Sequence, residues 1–432
     1  MSNGTVPAKG LYPWIVWSVA AVFYCYGFFQ RVAPSVMVTE LMTDFAVNAA
    51  VLGNLSAFYF YAYAGLQLPV GVFVDRWGAR RMLACAALLC GSGSALFAIA
   101  DSITMAYAGR LMIGAGAAFT WVGALKLAVE WLPPRRFAMI TGMTLMLGMA
   151  GAVGGQAPLA LAVAAVGWRA TLMMAAVFAA GLAGVIWFVV RDRPQSGSPH
   201  AEETDMGNQA SGLLRGLKLT LATPQSWIIA VFGAAITAPL LSFAGLWGVP
   251  YLMQAYGIDR TAAAATTSMM LIGWGIGAPL AGWASDHIHR RRLPMLIGSV
   301  AALLIFSVVI YVPDLPLLTV RILFFAHGLA SGVMIIVFAV GREHNRPGAA
   351  GATLGFINAF VMASGAFFQP FIGWLLDANW DGTTVAGGRV YSTAAYETAL
   401  LALVGCSIVT VLAAIMTRET RCQNVSDSGV GS

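Results

Sequence analysis

Long apolar runs alternate with short polar breaks along almost the whole chain. Twelve of the runs approach or exceed the roughly 20 residues that a helix needs to cross about 30 Å of hydrocarbon. They predict spans at 12–39, 47–74, 82–100, 104–132, 137–164, 168–190, 226–255, 261–287, 293–312, 315–341, 349–376 and 393–417. One long polar stretch, 191–225, divides the spans six and six. It opens as RDRPQSGSPHAEETDMGNQASG, a linker composition, and continues as LLRGLKLTL, which predicts a short amphipathic helix at a membrane face. The expected organisation is a six-helix bundle over 1–190, a linker over 191–225 and a second bundle over 226–417. A polar tail, 418–432, is expected to be disordered.

Composition rules out a water-soluble domain. Charged residues make up 10% of the chain against about 25% in soluble proteins, and 59% of positions are hydrophobic. The fold class is therefore all-α membrane protein. The net charge of +6 could suggest a polyanionic partner, but its distribution argues otherwise. Seventeen cations fall in segments on the side of the two termini and three, Arg169, Arg260 and Arg389, on the other. Cytoplasmic loops carry such an excess, so both termini are expected in the cytoplasm, in a multi-pass inner (cell) membrane protein without a nucleic-acid partner. The first apolar run is too long for a signal-peptide core, and no cleavable signal is expected. The five cysteines lie in spans or in the tail, so neither disulfides nor a metal site is expected.

The two halves repeat at a fixed offset of 211 residues. Gly71-Val-Phe-Val-Asp75 aligns with Gly282-Trp-Ala-Ser-Asp286, Arg80-Arg81 with Arg291-Arg292, Arg110 with Arg321 and Arg135 with Arg346. Charged residues are scarce here, and chance does not place this many at one offset. Parallel repeats of six spans are a transporter plan that puts the substrate between the halves near the midplane.

At these residues the chain resembles the major facilitator superfamily. Gly71-Val-Phe-Val-Asp75-Arg76-Trp-Gly78-Ala-Arg80-Arg81 is similar to that family's GxxxDRxGRR loop, with Ala79 where arginine is common. Arg110-Leu-Met-Ile-Gly114-Ala-Gly116 resembles its RxxxGxG in span four. The resemblance covers essentially the whole chain and implies twelve helices in two pseudo-symmetric bundles. It also implies a gating latch at the membrane face built on Gly71, Asp75, Arg76, Arg80 and Asp286. Glu130, at the same end of span four, is the expected partner of Arg76 or Arg80. The GPxxGG signature of the superfamily's drug antiporters is not met in span five, where Ala152 stands in place of proline. The nitrate porters' signature is missing too.

Charges inside spans are costly and mark cavities or pairs. Arg31 lies past the middle of span one, and its repeat position is Ser242, so the duplicated scaffold does not need a cation there. The segment around it resembles span one of the anion:cation symporter branch, with Gln30 where that branch has an acid. A guanidinium in a cavity can bind two oxygens of a carboxylate or phosphate; the blander alternative is a hydrogen bond to a neighbouring helix. Lys126 also lacks a counterpart, and Glu130 four residues on is its simplest partner. Arg110 and Arg321 repeat, which favours a scaffold role, with Arg110 a secondary anion contact. Span two presents Tyr59, Tyr63 and Gln67 on one face, and Trp247, Trp274, Asn358 and Gln369 are candidates from the other half. His327, within span ten, is the candidate coupling group because imidazole titrates near neutrality.

The expected function is secondary transport of a small organic anion by alternating access, with protons as a candidate coupling ion and the lipid bilayer as surroundings. The alternatives are a neutral or zwitterionic solute (amino acid, peptide or siderophore) and a non-transporting sensor. A monomer is expected. No enzyme signature, cofactor motif or nucleotide-binding GxxxxGK[ST] stands in the chain, so neither catalysis nor a cofactor is expected.

Overall fold

The computed structural model describes residues 10–67, 69–192, 206–385 and 388–425. The N-terminal segment with Lys9, the linker stretch 193–205 and the end of the tail, 426–432, lie outside the described residues.

A bilayer offers the backbone no hydrogen bonds, so each apolar run must satisfy its own amides as a helix. Ten stretches of the described residues are long and apolar enough to span, and Ala49–Leu66 qualifies as an eleventh together with Val38–Asp44, from which it is bent by 113°. The longest stretch, Met139–Val189, holds two spans. Near its end the Trp187 carbonyl accepts from Arg80 Nε at 2.8 Å on one face of the bundle, whereas Trp168 Nε1 bonds Asp44 at 2.9 Å on the opposite face. The reversal occurs at Gly167, whose φ of +81° a side chain would strain. The architecture is the expected one: twelve helices in two six-helix bundles.

The face that carries Asp75, Arg80 and the linker is called the linker face here, and the other the distal face. The linker helix, Met206–Ala222, packs on the second half, where Thr220 and Thr353 share a hydroxyl contact of 2.9 Å. The tail corrects the expectation of disorder as far as Val425. Glu419 accepts the amides of Arg291 and Arg292 at 2.8 and 3.0 Å, and Val425 N donates to the Glu343 carbonyl at 2.8 Å. Polar composition alone could not reveal that these groups meet helix-end amides and carbonyls left unpaired by the bundle.

Between apolar helices there is little hydrophobic drive in lipid, so close approach decides packing. Gly114 illustrates it: a Cβ there would stand 2.1 Å from the Tyr59 carbonyl oxygen, so span four (Ile103–Trp131) can press against span two only with glycine.

Candidate functional site

A cavity of about 780 Å³ lies between the halves. Its inner end is bounded by Arg31, Val32 and Leu241, and its linker-face end by Asp75, Gly212 and Gly348. On the distal side the halves are sealed. Asp377, at the end of span eleven (Pro347–Ala378), accepts the amides of Ala49 and Ala50 at 3.3 and 2.9 Å, so a carboxylate of one half sits on a helix N-terminus of the other. The Tyr391 hydroxyl donates to the same carboxylate at 2.5 Å and Arg389 pairs with it at 3.2 Å. Glu40 forms an ion pair with Arg260 across the same seam. Deeper in, Gln156 donates to the Ala244 carbonyl at 2.7 Å and accepts from Thr267 at 3.2 Å, joining span five to spans seven and eight. The cavity is thus open to one face and closed to the other.

Arg31 sits in the last turn of the helix Tyr12–Val32, which Pro34 helps to end. Its guanidinium lies 4.1 Å from the Phe28 ring centroid and 5.2 Å from that of Tyr63, and its Nε has no hydrogen-bond partner. No carboxylate pairs with it among the described residues. Gln30 turns the other way, donating to Tyr26 at 2.5 Å and Ser94 at 2.8 Å. Tyr63, Gln67 and Asn358 border the cavity with Arg31, and so does Trp274. Asn358 Nδ2 donates to Gln67 Oε1 at 2.5 Å.

Several sequence candidates face elsewhere. Tyr59 is fully buried behind Arg31, its hydroxyl given to the Gly27 carbonyl at 3.1 Å and its ring lying between the guanidinia of Arg31 and Arg110. Arg110 is fully buried; its two terminal nitrogens donate to the carbonyls of Gln30 and Ser56 at 2.8 and 3.3 Å, and its Nε has no hydrogen-bond partner. It bridges span four to spans one and two and does not border the cavity. Trp247 is buried against the Gln369 carbonyl at 2.9 Å, and Gln369 in turn donates to the Leu241 carbonyl. His327 is also withdrawn from the cavity. It is 1% exposed, packs on Phe306 at 5.4 Å, and neither ring nitrogen has a hydrogen-bond partner. Tyr24, Phe28 and Trp121 border the cavity although the sequence pattern did not single them out. A signal exists for two of them, since Tyr24, Phe28 and Arg31 follow one another at helical spacing on one face.

At the linker face, Asp75 pairs with Lys126 at 2.5 Å, and Lys126 also reaches the Val74 carbonyl. This corrects the expected pairing of Lys126 with Glu130. Arg80 does not meet Glu130 either. It stacks on Trp187 at 4.8 Å, and its amide donates to Asp192 at 2.8 Å. Gly71 borders the cavity, and a Cβ there would meet nothing within 4 Å, so no helix presses on it in this state. Arg76 and Glu130 both have interaction partners. In the second half Asp286 pairs with Arg291 at 2.5 Å, and Arg291 pairs with Glu343 at 2.7 Å.

The model of the Major Facilitator Superfamily matches residues 19–370. The chain is 27% identical over 409 residues to the membrane sensor protein UhpC of Escherichia coli, covering 90% of each. It is 24% identical over 272 residues to the hexuronate transporter of Bacillus subtilis, 61% of this chain and 62% of that one. Among solved structures it superposes with a TM-score of 0.76 on a bacterial homolog of the human lysosomal transporter Spinster, in an inward-facing and unoccupied conformation. That pair is 18% identical, over 95% of this chain and 97% of the other, and the likeness is one of fold.

Proposed function

The chain belongs to the Major Facilitator Superfamily, and from that premise we propose that it is a secondary transporter that carries a small organic anion across the inner membrane by alternating access. The observation that carries the reading is Arg31, a buried guanidinium that no carboxylate among the described residues pairs with, at the closed end of a cavity that opens to one face. A buried cation without a counterion costs several kcal/mol, so an anionic ligand that pairs with it recovers part of that cost. Gln67 and Asn358 supply neutral polar groups on the way in. The 17 to 3 bias of cations supports a cytoplasmic linker face, from which the cavity opens inward. The hexuronate transporter among the relatives handles a carboxylate, which supports an anionic cargo.

The test is counterflow in proteoliposomes, with carboxylates, amino acids, sugars and phosphates supplied in turn, with and without a pH gradient. Carboxylate flux that falls at least tenfold in Arg31→Ala is expected. The likeness to UhpC favours a second reading, in which the chain senses a ligand without moving it. Arg31-dependent binding with no flux of the bound compound would select that reading.

A further inference from the structure

The wall of the cavity says more about the cargo, on the footing that the cargo is an anion held by Arg31. Arg31 is the cation that borders the cavity, and among the described residues no second arginine or lysine does so. The acid on its border, Asp75, lies at the mouth, already paired with Lys126. The Arg31 guanidinium carbon lies over the rings of Phe28, Tyr63 and Tyr59, 4.1, 5.2 and 5.7 Å from their centroids, and a guanidinium fork of this kind can grip one carboxylate. Beyond it the space is walled by Trp121, Trp274, Met149, Leu241 and Met362. The two amides on the wall, Gln67 and Asn358, are bonded to each other, and beside them the polar side chains of the lining, apart from Arg31 and Asp75, are the hydroxyls of Tyr24, Tyr63, Thr141 and Thr237.

This wall penalises two kinds of ligand. A second anionic group would lie against indole and thioether, or near Asp75, with no cation to meet it. A polyhydroxylated body would bury hydroxyls that find few partners. We propose that the cavity selects an amphipathic monoanion, with one carboxylate on Arg31 and an apolar body of aromatic size packed between Phe28, Trp121 and Trp274. A volume of 780 Å³ is ample for such a molecule.

Binding to the purified full chain tests this, using indole fluorescence and thermal shift with 3-phenylpropanoate, its amide, acetate to hexanoate, glucuronate, and the dianion benzylmalonate. Affinity should rise about fourfold per methylene along the straight-chain acids. 3-Phenylpropanoate should bind at least tenfold more tightly than acetate, glucuronate, benzylmalonate or its own amide. Arg31→Gln should erase the preference for acid over amide, and Trp121→Ala should weaken 3-phenylpropanoate more than acetate. Arg31→Lys keeps the charge, and a reduced acid preference there serves where the glutamine variant does not fold. Affinity flat with chain length, or favouring glucuronate or benzylmalonate while still requiring Arg31, overturns the monoanion assignment and leaves the anion reading standing. Acid and amide binding alike in wild type removes both, as does the failure of every probe to bind.

Discussion

Asn358 donates to Gln67 across 2.5 Å, and this bond ties span eleven of the second half to span two of the first at the wall of the open cavity. On the proposed function, cargo that reaches Arg31 passes this pair and rocking of the halves remakes it. Removing either amide should change affinity and transport rate together. Because the two side chains act as one unit, the effects of Gln67→Ala and Asn358→Ala should be non-additive, with a coupling of about 0.5–3 kcal/mol. A double-mutant cycle on ligand affinity checks this, and additive losses would show that the contact is incidental.

Asp75 and Lys126 both belong to the first half, so their pair cannot itself hold the two halves together in this state. Their side chains are 54% and 26% exposed, and pairs this open contribute about 0.2–1 kcal/mol. Asp75→Asn should therefore leave insertion and melting temperature within a few degrees of wild type. Uptake is expected to fall at least tenfold on the proposal that Asp75 belongs to a latch that closes the linker face. Wild-type uptake in this variant would remove Asp75 from the gate.

The distal seam depends on backbone contact at Gly53, where a Cβ would stand 2.4 Å from the Gln369 carbonyl oxygen. At Gly351, on the open side, a Cβ meets nothing within 4 Å. Gly53→Ala should hold the distal face ajar, slowing transport and exposing a reporter cysteine on that face to a membrane-impermeant thiol reagent. Gly351→Ala should leave the conformation described here intact. Equal labelling in wild type and Gly53→Ala would contradict this account of the seal.

His327 spends nothing on the cavity and has no hydrogen-bond partner for either nitrogen. A buried polar group left unpaired costs about 1–3 kcal/mol, so His327→Leu should be neutral or stabilising in a thermal melt. Its transport rate should follow the wild-type pH profile. A flattened profile would restore the histidine as the coupling group.

These corrections have a common origin. Helix length, scarcity of charge and the 211-residue offset are properties of the chain itself, so the twelve spans and two halves are legible without coordinates. Arg31 is legible too, as a charge that the duplicated scaffold does not repeat. What helical spacing cannot tell is which surface a given face meets. Tyr59 and Tyr63 share one face of span two, yet Tyr63 reaches the cavity and Tyr59 stops one turn away behind Arg31. Trp247 and Trp274 are equally aromatic, and of the two only Trp274 borders the space. Proximity in sequence pairs Lys126 with Glu130, whereas span four crosses span two close enough for Asp75 to win.

The tail offers a contact whose pH dependence has a definite sign. Partial burial pushes the Glu419 carboxyl up, but the backbone amides of Arg291, Arg421, Arg292 and Thr420 push it down further, and the net shift is downward. A carboxylate lowered in the folded state contributes stability at pH values above the ordinary glutamate value of about 4.3, and loses it as pH falls through the lowered one. The tail should therefore stay docked at neutral pH and release only in acid below the usual glutamate range. Glu419→Gln removes the charge at every pH and should cost about 0.5–2 kcal/mol, the worth of a helix cap. Amide hydrogen exchange over 417–425 reads both effects. Faster exchange in the variant at pH 7, with wild type matching it only in acid, is expected; identical protection in the two proteins at pH 7 would mean that Glu343 and Asn345 hold the tail without this carboxylate.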